Sequence, residues 1–242
     1  MPTPAGTIKF SDIETEFGRN GSKSLGAYRI SQSAGLWSNL PLDSGVPQSG
    51  PISFSQMRGK RLNMVVDISG GEEYRVNMRT KYDTNSGVTV IGGFRSKPAD
   101  PSQTRIYVSI NKTIGSSTES ANHVALRTGN WGTSTILEVL LGGSAEILGA
   151  GGKGGDFRAD QYFVEVQVPQ YEDGNQVYYY DSVTDSYYPV YNTEIQTVSE
   201  FYADGGASGS SAFGVEYPCT VYNYGLIQAG YGGGGAGAYR SR

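Results

Sequence analysis

The sequence is short of the residues that most enzymatic and metal sites use. Among its 242 residues there is one cysteine, Cys219, and one histidine, His123. A single cysteine excludes a disulfide within the chain and a cysteine-based zinc site. A single histidine offers no cluster of metal ligands, and no G-x-S-x-G nucleophile motif accompanies it. The sequence therefore predicts no enzymatic activity, no catalytic residue, no cofactor and no metal site.

Charge is also scarce, and it is unevenly placed. Charged residues make up 17% of the chain, against about 25% in an average protein. Residues 1–158 carry 17 bases and 13 acids, whereas residues 159–239 carry ten acids and no Lys or Arg. A stretch of this charge repels a nucleic acid backbone and attracts cations or a basic neighbour. We therefore expect no nucleic acid partner.

Long apolar runs are absent as well. No run approaches the roughly 18 apolar residues of a membrane helix. The first 13 residues lack the cationic start and apolar core of a signal peptide. These features predict a protein that is made in a cytoplasm, with no insertion into a membrane.

Glycine and tyrosine are present in excess, and they indicate an all-β protein. There are 35 glycines and 18 tyrosines, and long runs of helix formers are scarce. Short apolar or alternating segments separated by Gly, Ser, Asn and Pro predict about seven strands, at 62–68, 73–81, 88–91, 106–110, 124–126, 136–141 and 146–148. Short strands at this spacing favour a sandwich or a barrel. The predicted fold is thus an all-β, short-stranded sandwich or barrel with a glycine-rich C-terminal part.

Two similar segments near the N-terminus predict short helical turns. Residues 8–13 and 52–57 both read apolar, polar, Phe, Ser, Asp or Gln, apolar. A Ser before such a run is a typical helix N-cap, so Ser11 and Ser55 are the predicted caps. A glycine follows each short run and predicts its end.

The apolar side chains of these two segments form a predicted assembly interface. A region of this size has little core of its own, so its apolar residues are expected to contact another protein. These residues are Phe10, Ile13, Phe17, Phe54 and Met57. Together with the predicted strands, they divide the chain into an assembly or anchoring segment (1–61), a β domain (62–148) and a glycine- and tyrosine-rich β region (149–242).

Two glycine tracts, at 149–155 and 230–237, each follow a pair of apolar residues. The first tract matches the GxGxxG pattern, but no long helix follows it, as a dinucleotide site requires. Glycine has no Cβ, so two or more extended tracts can pack closely and join their backbones by hydrogen bonds. Since such tracts need neighbours, the sequence predicts packed tracts and a homo-oligomer.

The tyrosine-rich insert between the tracts is a candidate binding surface. Nine of the 18 tyrosines lie between residues 162 and 202, together with seven acids. Tyrosine offers a large, rigid contact with a polar end, so exposed tyrosines suit a protein or a sugar ring. The candidate residues are Tyr179, Tyr180, Tyr187 and Tyr188. The alternative is ordinary β-structure, in which tyrosine is also common.

Acid pairs in this insert are candidates for two further functions. Glu172 with Asp173, and Asp181 with Asp185, are carboxylates of the kind used by glycosidases or by calcium sites. No D-x-[DN]-x-[DN]-G loop is present. We therefore interpret them as solvated loop residues.

The residues also carry a resemblance to a family. The segments TIKFSDIETEFG (7–18), SLGAY (24–28) and VPQSGPISFSQMRGK (46–60) resemble structural proteins of tailed bacteriophages, including marine cyanophages. So do VTVIGGF (88–94), NKTIGS (111–116) and ALRTGNW (125–131). The glycine tracts are similar to those of glycine-rich phage tail-fibre, tail-tip and adhesin proteins.

The resemblance implies a structural component of a phage tail fibre, tail tip or baseplate. Such a protein belongs to the virion, assembles in the cytoplasm of the bacterial host, and contacts other virion proteins. It implies host attachment through a surface glycan or protein, and a cyclic assembly, specifically a homotrimer. The alternatives are a capsid decoration or head-fibre protein, and a tail-associated polysaccharide depolymerase. The resemblance does not extend to the acidic, tyrosine-rich insert.

Overall fold

The computed structural model describes residues 1–116, 123–153, 157–173, 175–203 and 207–232. The chain divides into two compact units. The first comprises Met1–Lys153 and Ala207–Gly233, and the second comprises Gly154–Gly206 and Gly234–Arg242. The second unit is therefore largely an insertion into the first.

Twenty strands, most of them short, and two short α-helices make up the described structure. The helices are α1 (Phe10–Phe17) and α2 (Met78–Asp83), and 3-10 turns span Leu25–Tyr28 and Phe54–Met57. The first eleven strands are β1 (Ser31–Ala34), β2 (Trp37–Pro41), β3 (Asn63–Ile68), β4 (Glu73–Tyr74), β5 (Val76–Asn77), β6 (Val88–Val90), β7 (Arg105–Ile110), β8 (Thr113–Gly115), β9 (Leu126–Arg127), β10 (Ile136–Leu141) and β11 (Glu146–Leu148). The remaining strands are β12 (Phe157–Pro169), β13 (Tyr171–Glu172), β14 (Asn175–Gln176), β15 (Tyr178–Asp181), β16 (Ser186–Pro189), β17 (Tyr191–Ala203), β18 (Phe213–Gly214), β19 (Thr220–Asn223) and β20 (Leu226–Gln228).

The first unit is built from coils of chain stacked on one another. Strands β3, β7, β10 and β19 pair in parallel in one sheet, and β4, β8, β11 and β20 pair in parallel in a second. A third parallel sheet joins β5, β9 and β18. Three passes of the chain each add one strand to each sheet in turn, and a fourth adds β19 and β20 to the first two sheets. This is the arrangement of a parallel β-solenoid. Parallel neighbours require a long connection, and here the rest of each coil supplies it.

The core of the solenoid consists of apolar ladders that run through successive coils. Val66, Val108 and Val139 are aligned in the first sheet, and all three are fully buried. In the second sheet, Ile114 and Ile147 are aligned and fully buried. Alternate residues of a strand point to opposite faces, so an in-register stack places like side chains on one inner face.

The corner between β4 and β5 explains where the predicted strand 73–81 ends. Arg75 has φ 54°, in the left-handed region, and turns the chain from one sheet into the next. After β5, the Asn77 side chain accepts a hydrogen bond from the backbone N–H of Thr80, at 3.1 Å. This cap begins α2, so the second half of the predicted strand is helical. Tyr82 of α2 packs edge to face against Trp131, with ring centroids 5.5 Å apart.

The N-terminal segment forms the predicted helical turns, although each begins two residues early. The N-cap of α1 is Lys9 instead of Ser11, and Ser53 caps the second turn instead of Ser55. In both cases the side chain three residues later accepts from the backbone N–H of the cap, from Asp12 at 2.7 Å and from Gln56 at 2.8 Å. The hydrogen bond from the cap N–H to this carboxylate or amide oxygen is one half of a capping box, and it determines the residue at which each helical turn begins.

The second unit consists of two-stranded ribbons. Strands β12 and β17 pair antiparallel over 13 residue pairs, a length of about 40 Å. Two further hairpins, β13–β14 and β15–β16, follow between them. The three ribbons meet where Gln170, Val177 and Val190 form a closed ring of backbone hydrogen bonds, each 2.8 Å long. Each of these residues donates to the next, so the junction satisfies its own backbone.

The all-β prediction with short helical turns near the N-terminus is confirmed, and several small sheets around one core fit a sandwich. The parallel pairing was not predicted. Among the described residues, no helix has the length and apolar character to cross a membrane.

Candidate functional site

The four candidate tyrosines lie together on the β15–β16 hairpin. Tyr179 faces Tyr188 and Tyr180 faces Tyr187 in the antiparallel register. The first pair is stacked with ring centroids 5.8 Å apart, and the second is tilted at 5.0 Å. Since adjacent residues of a strand point to opposite faces, the hairpin carries one tyrosine pair on each face. The sequence predicted these residues, and the structure brings all four together.

The rings of these tyrosines are exposed. Tyr179, Tyr180, Tyr187 and Tyr188 are 56%, 49%, 70% and 41% exposed. Three other tyrosines of the second unit, Tyr171, Tyr178 and Tyr191, are also exposed. Truncating an exposed ring removes contact surface without opening a cavity in a core.

The turn that joins β15 to β16 is held by its own side chains. The Asp181 carboxylate accepts from the Val183 N–H and from the Thr184 hydroxyl, each at 2.9 Å. These hydrogen bonds lower the pKa of Asp181 below its ordinary value, so it is ionised. The Tyr180 hydroxyl donates to Asp185 at 2.7 Å, which raises the pKa of Tyr180. The turn is thus preorganised, and its polar groups bind one another.

Val183 at the centre of this turn is the most exposed apolar side chain of the hairpin, at 91%. The sequence interpretation missed it. Its signal was a β-branched residue between Asp181 and Asp185, in a turn where glycine or asparagine is usual. An apolar side chain fixed at the end of a rigid hairpin suits insertion into a pocket of a partner.

The acids around the hairpin leave it anionic. Glu172, Asp173, Asp181 and Asp185 lie in the described arms, and the sequence has no Lys or Arg between residues 159 and 239. A partner surface with basic groups is therefore favoured over an acidic one. Among the described residues, no group of three His, Cys, Asp or Glu side chains is placed to hold a metal ion.

The glycine segments pack against one another within one chain. The backbone N–H of Gly149 donates to Gln228 at 2.8 Å, that of Ser210 to Ala150 at 2.9 Å, and that of Gly230 to Ser210 at 2.9 Å. Three extended segments around residues 149, 210 and 230 therefore form one hydrogen-bonded layer of the first unit. A Cβ added at Gly230 would lie 1.8 Å from the Ala150 oxygen, so only glycine fits there. The segments find their neighbours without a second copy of the chain; residues 154–155 and 233–237 of the predicted tracts lie outside the described residues.

The five predicted assembly residues have different environments. Ile13, Phe17 and Met57 are fully buried and pack with the core of the first unit. Phe54 is 41% exposed, and its ring lies edge to face on the half-buried Phe10 at 6.2 Å. Within a folded chain, Phe54 with the rim of Phe10 is the part of the set that a partner can reach.

Comparison with known proteins assigns the family. The family model of the phage tail fibre adhesin Gp38 matches residues 73–241, about 70% of the chain. No curated protein and no solved structure matches the sequence or the fold. The match spans most of the solenoid, the glycine segments and the tyrosine hairpin. The chain therefore belongs to the phage tail fibre adhesin Gp38 family and is a phage tail component that mediates attachment to the host.

Proposed function

We propose that the β15–β16 hairpin is the surface with which this adhesin contacts a host receptor. The observation that carries this is the set of four exposed tyrosines in two cross-strand pairs on a turn fixed by Asp181. Aromatic side chains on a rigid support give contact area at a small entropic cost, as in antibody binding loops. The adhesin acts by binding, without covalent chemistry.

The hairpin favours a protein receptor over a glycan. A sugar requires hydrogen bonds to its hydroxyl groups, yet the Tyr180 hydroxyl donates to Asp185 and the Tyr188 hydroxyl to Thr184. The hairpin presents ring surface and the Val183 side chain instead. A convex, apolar tip with an anionic rim fits a concave, apolar patch with basic residues around it.

Alanine substitution at Tyr179 and Tyr188, the stacked pair, tests this surface. We expect the melting temperature to stay within about 4 °C of the wild type, because two exposed substitutions together cost about 1 kcal/mol or less. Adsorption of purified protein to host cells should weaken about tenfold or more, as for interface hot spots. Tyr74→Ala, which removes an exposed tyrosine of the first unit, is the matched control.

Two results would contradict this function. One is unchanged adsorption of the double variant, and the other is a loss of adsorption that Tyr74→Ala reproduces. Protease treatment of the host cells separates the receptor classes: it should abolish adsorption to a protein and leave adsorption to a glycan intact. Release of reducing sugars from host glycans would contradict a purely binding role.

We further propose that Phe54 and Phe10 contact the protein that carries this adhesin in the virion. The Phe54 ring is 41% exposed, and Ser53 and Ser55 flank it in the sequence. A large apolar ring that remains exposed is typical of a surface that contacts another protein. The homotrimer stays a prediction based on the symmetry of phage assemblies. Light scattering of the purified protein at micromolar concentration tests it, and a stable monomer would contradict it.

A further inference from the structure

An ion cluster beside α2 has more positive than negative charge. The Glu73 carboxylate binds the ammonium groups of both Lys112, at 2.8 Å, and Lys81. The Lys112 side chain is only 7% exposed, and its other contact is the Ser69 carbonyl at 3.4 Å. One carboxylate therefore serves two ammonium groups, one of which is almost buried.

Such a cluster favours an additional anion. Removing a charge from water is costly unless an opposite charge compensates it. The two lysines lower the pKa of Glu73 below its ordinary value, so its single negative charge is already present. Glu72, which precedes Glu73 in the chain, is exposed, and Arg75, two residues after Glu73, lines the adjacent cavity. These five side chains carry three positive and two negative charges. The net charge of the group remains positive.

A cavity of about 260 Å³ opens next to this cluster. It is lined by Glu73, Arg75, Val76, Asn77, Thr80, Lys81, Thr84 and Ser86. Among the described residues, the Arg75 guanidinium has no hydrogen bond or ion pair, whereas its backbone N–H donates to Gly115 at 3.0 Å. The left-handed backbone conformation of Arg75 fixes the direction in which its side chain leaves the chain. The guanidinium at the other end of that side chain is free to bind a ligand.

We propose that this cavity binds a phosphate group, either free or carried on a host-surface glycan. Arg75 and Lys81 supply charged donors, and the hydroxyls of Thr80 and Ser86 supply neutral ones. Guanidinium and ammonium groups together with hydroxyls are the usual partners of phosphate oxygens. The cavity lies just below the roughly 300–1,000 Å³ of small-molecule sites, so it suits one such group. The glycan-borne source rests on the adhesin function, whereas binding of free phosphate does not.

Binding of inorganic phosphate to the full-length protein tests the proposal at constant ionic strength. Phosphate should raise the melting temperature in a saturable way, because it binds the folded state. Arg75→Asn removes the guanidinium and keeps a residue that tolerates a positive φ. Arg75→Asn and Lys81→Gln should each weaken binding about tenfold, the usual effect of losing a charged hydrogen bond. Arg58→Asn and Lys23→Gln remove the same charges outside the cavity and should leave binding unchanged.

A third variant gives an opposite effect. Glu73→Gln removes the one carboxylate among the described residues that contacts Lys112 and Lys81, so the protein should be less stable without phosphate. Phosphate should then bind more tightly than to the wild type and restore more of the melting temperature. This gain would not follow if the lysines and Glu73 merely held the fold together.

Comparison of ligands identifies the source and can overturn the proposal. If the phosphate group is carried on a glycan, glucose 6-phosphate should compete with inorganic phosphate for the cavity, whereas glucose, the uncharged control, should not. If glucose 6-phosphate does not compete, the cavity binds the free ion. Equal stabilisation by chloride, no saturable effect of phosphate, or full binding by Arg75→Asn and Lys81→Gln would each refute the site. These outcomes do not depend on whether the tyrosine hairpin binds a receptor.

Discussion

Replacing Gly230 by alanine should disrupt the glycine layer of the first unit. A Cβ at this position would lie 1.8 Å from the backbone oxygen of Ala150 and 2.4 Å from its carbonyl carbon. These are backbone atoms of a neighbouring segment, so no side-chain rotation relieves the contact. The segments around Ala150 and Gly230 must move apart, and Ser210, which bonds to both, moves with them.

The size of the effect follows from the hydrogen bonds at stake. The backbone bonds from Gly149, Ser210 and Gly230 are 2.8–2.9 Å long and join the three segments. At about 1 kcal/mol each, their loss costs about 3 kcal/mol. For a unit of this size, that corresponds to a fall in melting temperature of about 6–12 °C.

Thermal unfolding followed by circular dichroism measures this change. Gly232→Ala is the matched control, because its Cβ would come no closer than 3.9 Å to another atom, the oxygen of Ala207. That variant should be neutral or slightly more stable, since alanine restricts the unfolded chain. Equal melting temperatures for the two variants would refute the reasoning and show that close packing at Gly230 contributes nothing.

Three further outcomes are expected. Burial raises the pKa of Glu16, so the charged carboxylate destabilises the folded state. Glu16→Gln should therefore be more stable than the wild type at pH 7. The difference in stability should vanish as the pH falls below about 4, where the side chain is neutral in both proteins. A difference that persists in acid would contradict this. Ile147→Ala should lower the free energy of unfolding by about 2–5 kcal/mol because the Ile147 side chain is fully buried. Leu226→Ala should lower it much less, because Leu226 is 45% exposed. Denaturant unfolding measures both, and equal losses would argue against a buried apolar ladder at Ile147. Phe10→Ser with Phe54→Ser should prevent incorporation into virions while circular dichroism shows retained β-structure, and normal incorporation would exclude that interface.

The sequence was most informative where local chemistry acts alone. The excess of glycine and tyrosine and the spacing of apolar segments predicted an all-β protein, and strands lie at 63–68, 105–110 and 136–141. The clustered tyrosines predicted an exposed surface, and Tyr179, Tyr180, Tyr187 and Tyr188 are indeed exposed. Their pairing across one hairpin is seen only in the structure. Glycine tracts predicted close backbone packing because no other residue allows it.

What the sequence left open depended on contacts between distant residues. Alternation alone does not reveal whether a strand pairs in parallel, because the partners of β7 lie more than 25 residues away on either side. Ile13 and Met57 looked like surface for a partner, yet the solenoid buries them. The residues of the ion cluster, Glu73, Lys81 and Lys112, are separated in the chain, so only the fold brings one carboxylate between two ammonium groups.

Composition and local pattern therefore determined the class of the fold and the nature of its exposed residues. The stacking of coils decided which of these residues are inside and which charges share a site. The physical reason is that strand propensity and backbone geometry act over a few residues, whereas burial and electrostatic pairing depend on segments brought together by the whole chain.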